Sequence, residues 1–288
     1  MTDSRIETFP VAEPILAQLR TGNGDVRITG SDDDQVRVVL NGSPAEIDRA
    51  RVDLSYGTLI VDTAPAPDRV PAAIGTLVDL LVGRDNVDVE VQLPPGCRLD
   101  LRGGSGEVTI STPVAEAEIQ VRSGDVTMAE VRGLAQLRTG SGDIRIPSAG
   151  SVQIHTESGD VVVDQASQAA QITTGSGDVR LDRAGGPIAM KTGAGDLRIG
   201  MITGEATVTL GSGELTIDQM GAGRLEIDSG SGDVTVTVVA GLPVWTDIST
   251  LSGDLYSTLP SLGQPEQGAD YLELRARTGS GDIHLRSA

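Results

Sequence analysis

The sequence predicts an all-β fold: a two-sided β-solenoid, of the β-helix or β-roll kind, with about 18 residues per rung. Three observations carry that prediction. An acidic residue directly after a Gly recurs at Asp25, Glu107, Asp125, Asp143, Asp160, Asp178, Asp196, Glu214, Asp233, Asp254 and Asp282, and from Glu107 to Asp233 the steps are 18, 18, 17, 18, 18, 18 and 19 residues. Around each acid the apolar residues alternate. Ile144/Ile146, Val161/Val163, Val179/Leu181 and Leu197/Ile199 follow it, while Leu137, Ile154, Ile172, Met190 and Val208 stand six positions before it. Aromatic residues make up only 2% of the chain, so the interior is aliphatic, unlike that of a sandwich or propeller built on buried rings.

Each unit therefore reads as strand, Gly turn, strand and second turn, with one face of each strand buried. Two strands of about five residues cannot enclose a core by themselves, and the unit is far shorter than the roughly 40–50 residues of a propeller blade. Stacking solves both problems, because equivalent strands pair and like residues form ladders. In the turn, Gly142, Gly159, Gly177, Gly195, Gly213 and Gly232 supply positive φ, and the Asp that follows can accept backbone N–H groups. Thr139, Thr156, Thr174 and Thr192 form a row predicted to hydrogen-bond along the stack.

Residues 1–96 read as a modified N-terminal β region. Leu19/Thr21 and Val26/Ile28 already match the unit around Asp25, and strands are expected at Gln35–Asn41, Arg51–Tyr56, Thr58–Asp62 and Val87–Leu93. Between the last two lies a short helix, Ala73–Leu81. Its Ile74, Leu77, Val78 and Leu81 form an apolar stripe suited to packing over the solenoid or to partner contact. Residues 97–288 read as the regular solenoid, with a loop at Leu259–Asp270 and a closing unit from Leu274 to Leu285. The two parts read as one continuous domain whose atypical first third caps the stack.

With 22 Lys+Arg against 41 Asp+Glu the net charge is −19, which argues against nucleic acid or an anionic membrane as the main partner. A single Cys97 excludes an internal disulfide framework and a cysteine-rich zinc site. Met1–Pro10 lacks the basic and apolar regions of a secretory signal, and the apolar run Pro71–Gly83 is too short to span a bilayer. A cytoplasmic protein without a transmembrane segment is expected.

Stacked carboxylates about 5 Å apart would repel by about 1–3 kcal/mol per pair at effective dielectrics of about 80 to 20. Backbone hydrogen bonds, the neighbouring Arg145, Arg180 and Arg198, or bound Ca²⁺ could offset this. Asp125, Asp143, Asp160, Asp178, Asp196 and Asp233 are therefore the candidate metal ligands. The calcium-binding nonapeptide solenoid shares the period, but here only one turn per unit is acidic. His155 and His284 fall on outward strand positions and read as solvated; Met128 and Met190 fall on the buried phase. No catalytic motif and no cofactor are expected. Trp245, Tyr256 and Tyr271 cluster in sequence, where they suit either an irregular cap or a ligand platform.

The units T-G-S-G-D-[VI]-x-[LI] at Thr139–Ile146 and Thr174–Leu181, the V-x-V-x-L-P-x-G segment Val89–Gly96 and the closing Leu272–Ile283 resemble a large bacterial family of β-strand-repeat proteins labelled "putative adhesin". The resemblance covers nearly the whole chain. It implies a solenoid-like domain of unknown function without known catalytic residues, and for some members a link to cell-envelope stress. The residues and the resemblance together predict a non-catalytic scaffold or interaction module that binds another protein or itself. The alternatives are a calcium-binding β-roll and, behind it, a glycan-active β-helix enzyme.

Overall fold

The computed structural model describes residues 3–31, 33–63, 86–260 and 268–288. The expected helix Ala73–Leu81, with Ile74, Leu77, Val78 and Leu81, lies outside these residues, as does most of the Leu259–Asp270 loop. Among the described residues the chain is all-β and solenoid-like apart from one short helix, and it divides into two compact units, Met1–Arg145 and Ile146–Ala288. Among the described residues no helix is long and apolar enough to cross a membrane.

In the first unit Leu16–Arg20 lies parallel between Thr58–Asp62 and Arg98–Ser105, so Leu19 has Val61 on one side and Leu101 on the other. The row continues through Ile119 to Leu137. On the companion strands, Val26 lies between Val89 and Val108, and Val126 pairs with both Val108 and Ile144. The chain starts this unit with antiparallel strands. Asp3–Pro10 pairs with Gln35–Gly42, which pairs in turn with Asp88–Leu93, and Arg51–Ser55 pairs with Thr58–Asp62.

The helix, Pro44–Arg49, was not expected. Its start is written in Ser43-Pro44-Ala45-Glu46: Pro suits the first turn, and the Glu46 carboxylate accepts the Ser43 backbone N–H at 3.2 Å and the Ser43 hydroxyl at 2.5 Å. Those bonds, led by the Ser43 hydroxyl and joined by the Asn86 N–H, hold the Glu46 carboxyl below its ordinary range.

In the second unit Ile154, Ile172, Met190, Val208 and Ile227 are successive parallel partners. The other strand of each turn carries Val161, Val179, Leu197, Leu215 and Val234 in the same way. All ten are buried. Each such side chain contributes about 1.5–3 kcal/mol by leaving water.

Beyond Ile227 the order in space departs from the order in sequence. Leu272–Ser280 inserts beside the strand carrying Ile227, and among the described residues Val244–Ser252 pairs only with the far side of that insert. The inward residues explain the exchange. Leu272, Leu274, Ala276, Ile283 and Leu285 are buried, whereas the earlier segment offers Thr246, Ile248, Thr250 and Leu255, of which Leu255 is half exposed. The apolar segment takes the interior place, and the polar one is left outermost.

The Thr row also differs from expectation. Each hydroxyl bonds within its own turn, donating to the carbonyl two residues on: Thr139 to Ser141, Thr156 to Ser158, Thr174 to Ser176 and Thr192 to Ala194, at 2.9–3.1 Å. A local carbonyl needs no matching residue in the next strand, so the row tolerates Leu210 at the next equivalent position.

The Gly turn is a close approach of backbone to backbone in each unit. Gly177 has φ +119°, and a Cβ on it would lie 2.3 Å from the Gly159 carbonyl oxygen. Gly204, at φ +96°, has open space around its would-be Cβ. Gly204→Ala is expected to cost about 1 kcal/mol and Gly177→Ala about 3 kcal/mol or more, since only the latter adds backbone overlap to conformational strain. Denaturant melts of the two variants check the difference; equal losses would mean the stacking contact carries no energy.

Candidate functional site

The acidic residues after the turn glycines form hydrogen-bonded ladders along one edge of each unit. At these steps an Asp carboxylate oxygen accepts the backbone N–H of the acid on the neighbouring strand pair. Asp160 accepts from Asp178 at 2.9 Å, Asp178 from Asp196 at 2.8 Å and Asp196 from Glu214 at 2.8 Å. Asp233 accepts from Asp282 at 2.8 Å, and Asp282 from Asp254 at 2.9 Å. In the first unit Asp125 accepts from Asp143 at 2.9 Å, and Asp25 accepts from Glu107 at 2.9 Å although 82 residues separate them.

Asp88 belongs to the same ladder, accepting the Asp25 N–H at 3.0 Å, and the sequence reading missed it because Val87 rather than Gly precedes it. The available signal was the strand Asp88–Leu93, whose Val89 and Val91 repeat the one-and-three spacing after an acid. The two Glu positions behave differently from Asp. Glu107 takes the Thr109 hydroxyl at 3.0 Å and Glu214 the Thr216 hydroxyl at 3.1 Å, since the longer side chain reaches back along its own strand.

A carboxylate that already accepts a backbone N–H has one oxygen committed, and its neighbours stand one strand spacing away rather than around a common point. Among the described residues no three or more of His, Cys, Asp and Glu gather as a metal would need. Two of the arginines near the ladder serve other acids: Arg180 bonds Asp182 at 2.7 Å and Arg198 bonds Asp218 at 3.0 Å. The Arg180 hydrogen bond holds the Asp182 carboxyl below its usual range and raises the Arg180 guanidinium in turn.

The other residues singled out in the sequence do not converge. His155 is exposed, and His284 stacks on Tyr256 with ring centroids 5.0 Å apart. Met128 and Met190 are buried among aliphatic neighbours. Cys97 is buried with the Ile15 N–H donating to its sulfur at 3.3 Å; burial pushes the thiol up, against the smaller opposite effect of that hydrogen bond.

Exposed apolar side chains gather at the outermost strands of the second unit. Trp245 is 50% exposed, Leu251 91%, and Leu255, Tyr256 and Tyr271 about half. Arg275 sits over the Trp245 ring at 5.7 Å, and the Tyr256 hydroxyl donates to Asp254 at 3.4 Å.

Residues 18–201 and again 186–286 match the family profile described as Toastrack DUF4097. The chain belongs to the Toastrack DUF4097 family. This is the repeat family that the Ser-Gly-Asp units resemble. Among curated proteins none matches the chain. Similar solved structures include a "putative adhesin" from Bacteroides fragilis, 12% identical, covering 98% of this chain and 97% of that one at a TM-score of 0.43. Another "putative adhesin", from Parabacteroides distasonis, is 12% identical with the same coverage and a TM-score of 0.32. A "putative lipid binding protein" from the same species is 14% identical, covering 98% and 96% at a TM-score of 0.36. Likeness this distant says nothing of what the Toastrack chain binds.

The ladder and the buried thiol each have measurable consequences. Asp178→Ala removes the acceptor of the Asp196 N–H and is expected to cost about 1 kcal/mol. Asp178→Asn keeps an acceptor oxygen, sheds one like charge and stays within about 0.5 kcal/mol of the parent. Calcium should leave the melting curves of the wild type and of Asp178→Asn unchanged, because a ligand of the native state alone would raise the midpoint; a wild-type rise lost in Asp178→Asn would make the ladder a cation site. Cys97 is expected to react with a thiol reagent only after denaturation, followed by absorbance of the released chromophore.

Proposed function

We propose that this Toastrack chain is a non-catalytic interaction module. In this reading each unit is a two-sided solenoid of about 18 residues per rung, as the 18-residue separations between ladder partners suggest. The acidic edge is structural, its carboxylates holding the turns of neighbouring rungs together. The contact surface is the outermost rung, Val244–Ser257.

The single observation that carries the reading is the concentration of large exposed apolar residues there: Trp245, Leu251, Leu255 and Tyr256, with Tyr271 nearby. Elsewhere among the described residues large exposed apolar side chains are scattered, at Ile6, Tyr56, Leu134 and Met201. Scattered residues are ordinary, whereas a concentration of large exposed apolar residues on one rung suits a contact surface. The −19 net charge favours a contact made through this patch over one made through the acidic faces, because charge repulsion opposes face-to-face approach of like surfaces.

Immobilised wild-type protein and a Trp245→Ala/Tyr256→Ala variant, each exposed to extract of the source organism, test this reading. The wild type is expected to retain a partner that the variant releases. Equal retention by both, or none by either beyond an unrelated acidic control, would sink it.

A further inference from the structure

We infer that the outermost strand of the second unit, Val244–Ser252, is a self-complementary edge at which two copies of this chain pair antiparallel about a twofold axis at Ile248. The inference rests on the interaction-module reading and names its partner as a second copy.

The edge is open. Val244–Ser252 pairs on one side with Leu272–Ser280, and among the described residues no strand covers its other side. The Leu272 N–H bonds the Pro243 carbonyl, so odd-numbered residues of the strand direct their backbone groups inward to that neighbour. Alternation then turns the N–H and C=O of Val244, Thr246, Ile248 and Thr250 to the free edge. The corresponding groups of Leu272–Ser280, one strand in, face Val244–Ser252. An edge of this length with unpaired groups and flanking apolar side chains is a template for another strand.

The residue pattern decides which strand. Centred on Ile248, antiparallel pairing places Ile248 opposite itself as a hydrogen-bonded pair, and Thr246 opposite Thr250 of the second copy. On the outward face Trp245 meets Leu251, and Asp247 meets Ser249. Each of these pairs occurs twice by symmetry. The two large apolar side chains left in water, Trp245 and Leu251, cover each other, and the Asp247 carboxylate gains a hydroxyl donor.

The Thr250 hydroxyl is buried without a hydrogen-bond partner, an arrangement that costs free energy unless something supplies one. In the paired state the Thr246 hydroxyl of the second copy lies across from it. Neighbouring registers lose these matches: an axis at Asp247 sets the two carboxylates against each other, and one at Ser249 puts Asp247 opposite Leu251. Like charges directly opposite destabilise a strand pair, whereas aromatic–aliphatic and Thr–Thr pairs each favour it. The strand contains no basic residue, so a charge-matched contact with itself is confined to registers that separate its acids.

Sedimentation of the full chain and cysteine cross-linking test the pairing. The wild type is expected to sediment as a concentration-dependent dimer. Ile248→Pro, which removes an edge N–H, and Leu251→Lys should each weaken self-association by about tenfold or more. Circular dichroism confirms that both variants keep the wild-type fold.

Trp245→Cys mixed with Leu251→Cys is expected to give a disulfide-linked pair on mild oxidation, while either variant alone stays unlinked. A monomeric wild type at the highest soluble concentration, a dimer indifferent to both edge substitutions, or linking of Trp245→Cys to itself overturns the inference. A monomer would leave the broader interaction reading standing, because heterologous capture through Trp245 and Tyr256 is a separate measurement.

Discussion

The architecture depends on one contact: the turn of each strand pair pressed against the turn of the next. At Gly177 the neighbouring carbonyl occupies the space a side chain would need. One residue later the Asp178 side chain takes up the N–H of Asp196. The two requirements are complementary. Gly admits the close approach, and the carboxylate turns that approach into a charge-assisted hydrogen bond, which is among the stronger kinds. Repulsion between stacked acids is of the same order as the hydrogen bond that joins them, so the bond offsets much of the cost of a line of like charges. A protein carrying 41 acidic residues can in this way place part of its charge where it holds the stack together.

That contact fixes which turns stand side by side, but the apolar content of the strands fixes which segment enters the stack. Both departures from sequential order illustrate it. Near the start, Asp88, Asp25 and Glu107 are consecutive in space, because Asp88–Leu93 supplies Val89 and Val91 beneath Val26 and Ile28. Near the end, the turn of Asp282 stands between those of Asp233 and Asp254. An interior place buries both sides of a strand pair, so it rewards Leu272, Leu274 and Ile283 more than it would Thr246 and Thr250. The 21-residue and 28-residue steps at the end of the repeat are the trace of this exchange: the chain runs out, turns back and fills the gap.

Most of this was legible in the sequence, because a strand pair stacked on its equivalents obeys a rule with few variables. Period two gave the buried phase, the recurrent Gly gave the turns, and the poverty of aromatics pointed to aliphatic ladders. What escaped lay where the rule involves more than one segment. Asp3–Pro10 pairs antiparallel with Gln35–Gly42 through alternation too weak to register, with Ile6 half exposed. The helix Pro44–Arg49 is shorter than two turns and declares itself only in its capping residues. Asp88 lacked its Gly, and the insertion of Leu272–Ser280 required comparing two candidate strands for one place. The apolar patch was half legible. Trp245 and Tyr256 stood out by residue type, whereas the exposure of Leu251 and Leu255 follows from their place on an outermost strand.

The two units end differently, and the difference bears on where contact is made. At the start of the first unit the parallel stack is closed by antiparallel strands. Arg51–Ser55 lies against Thr58–Asp62, and Arg5 is tied down by Glu7 at 2.7 Å and by the Ala50 carbonyl at 2.8 Å. Charged side chains and reversed strands are the ordinary means of making an edge unattractive to another chain. Val244–Ser252, the outermost strand of the second unit, has no reversed strand against it among the described residues and carries one charged side chain, Asp247. It continues the parallel direction and ends its ladder on Asp254, whose equivalents Asp178 and Asp233 hold the N–H of a further turn. It also sets Trp245 and Leu251 in water on the same face. Solenoids protect ends that must stay apart. An end that keeps the register of the stack, carries no basic or proline gatekeeper and exposes its largest apolar residues has the features of a surface meant to be covered.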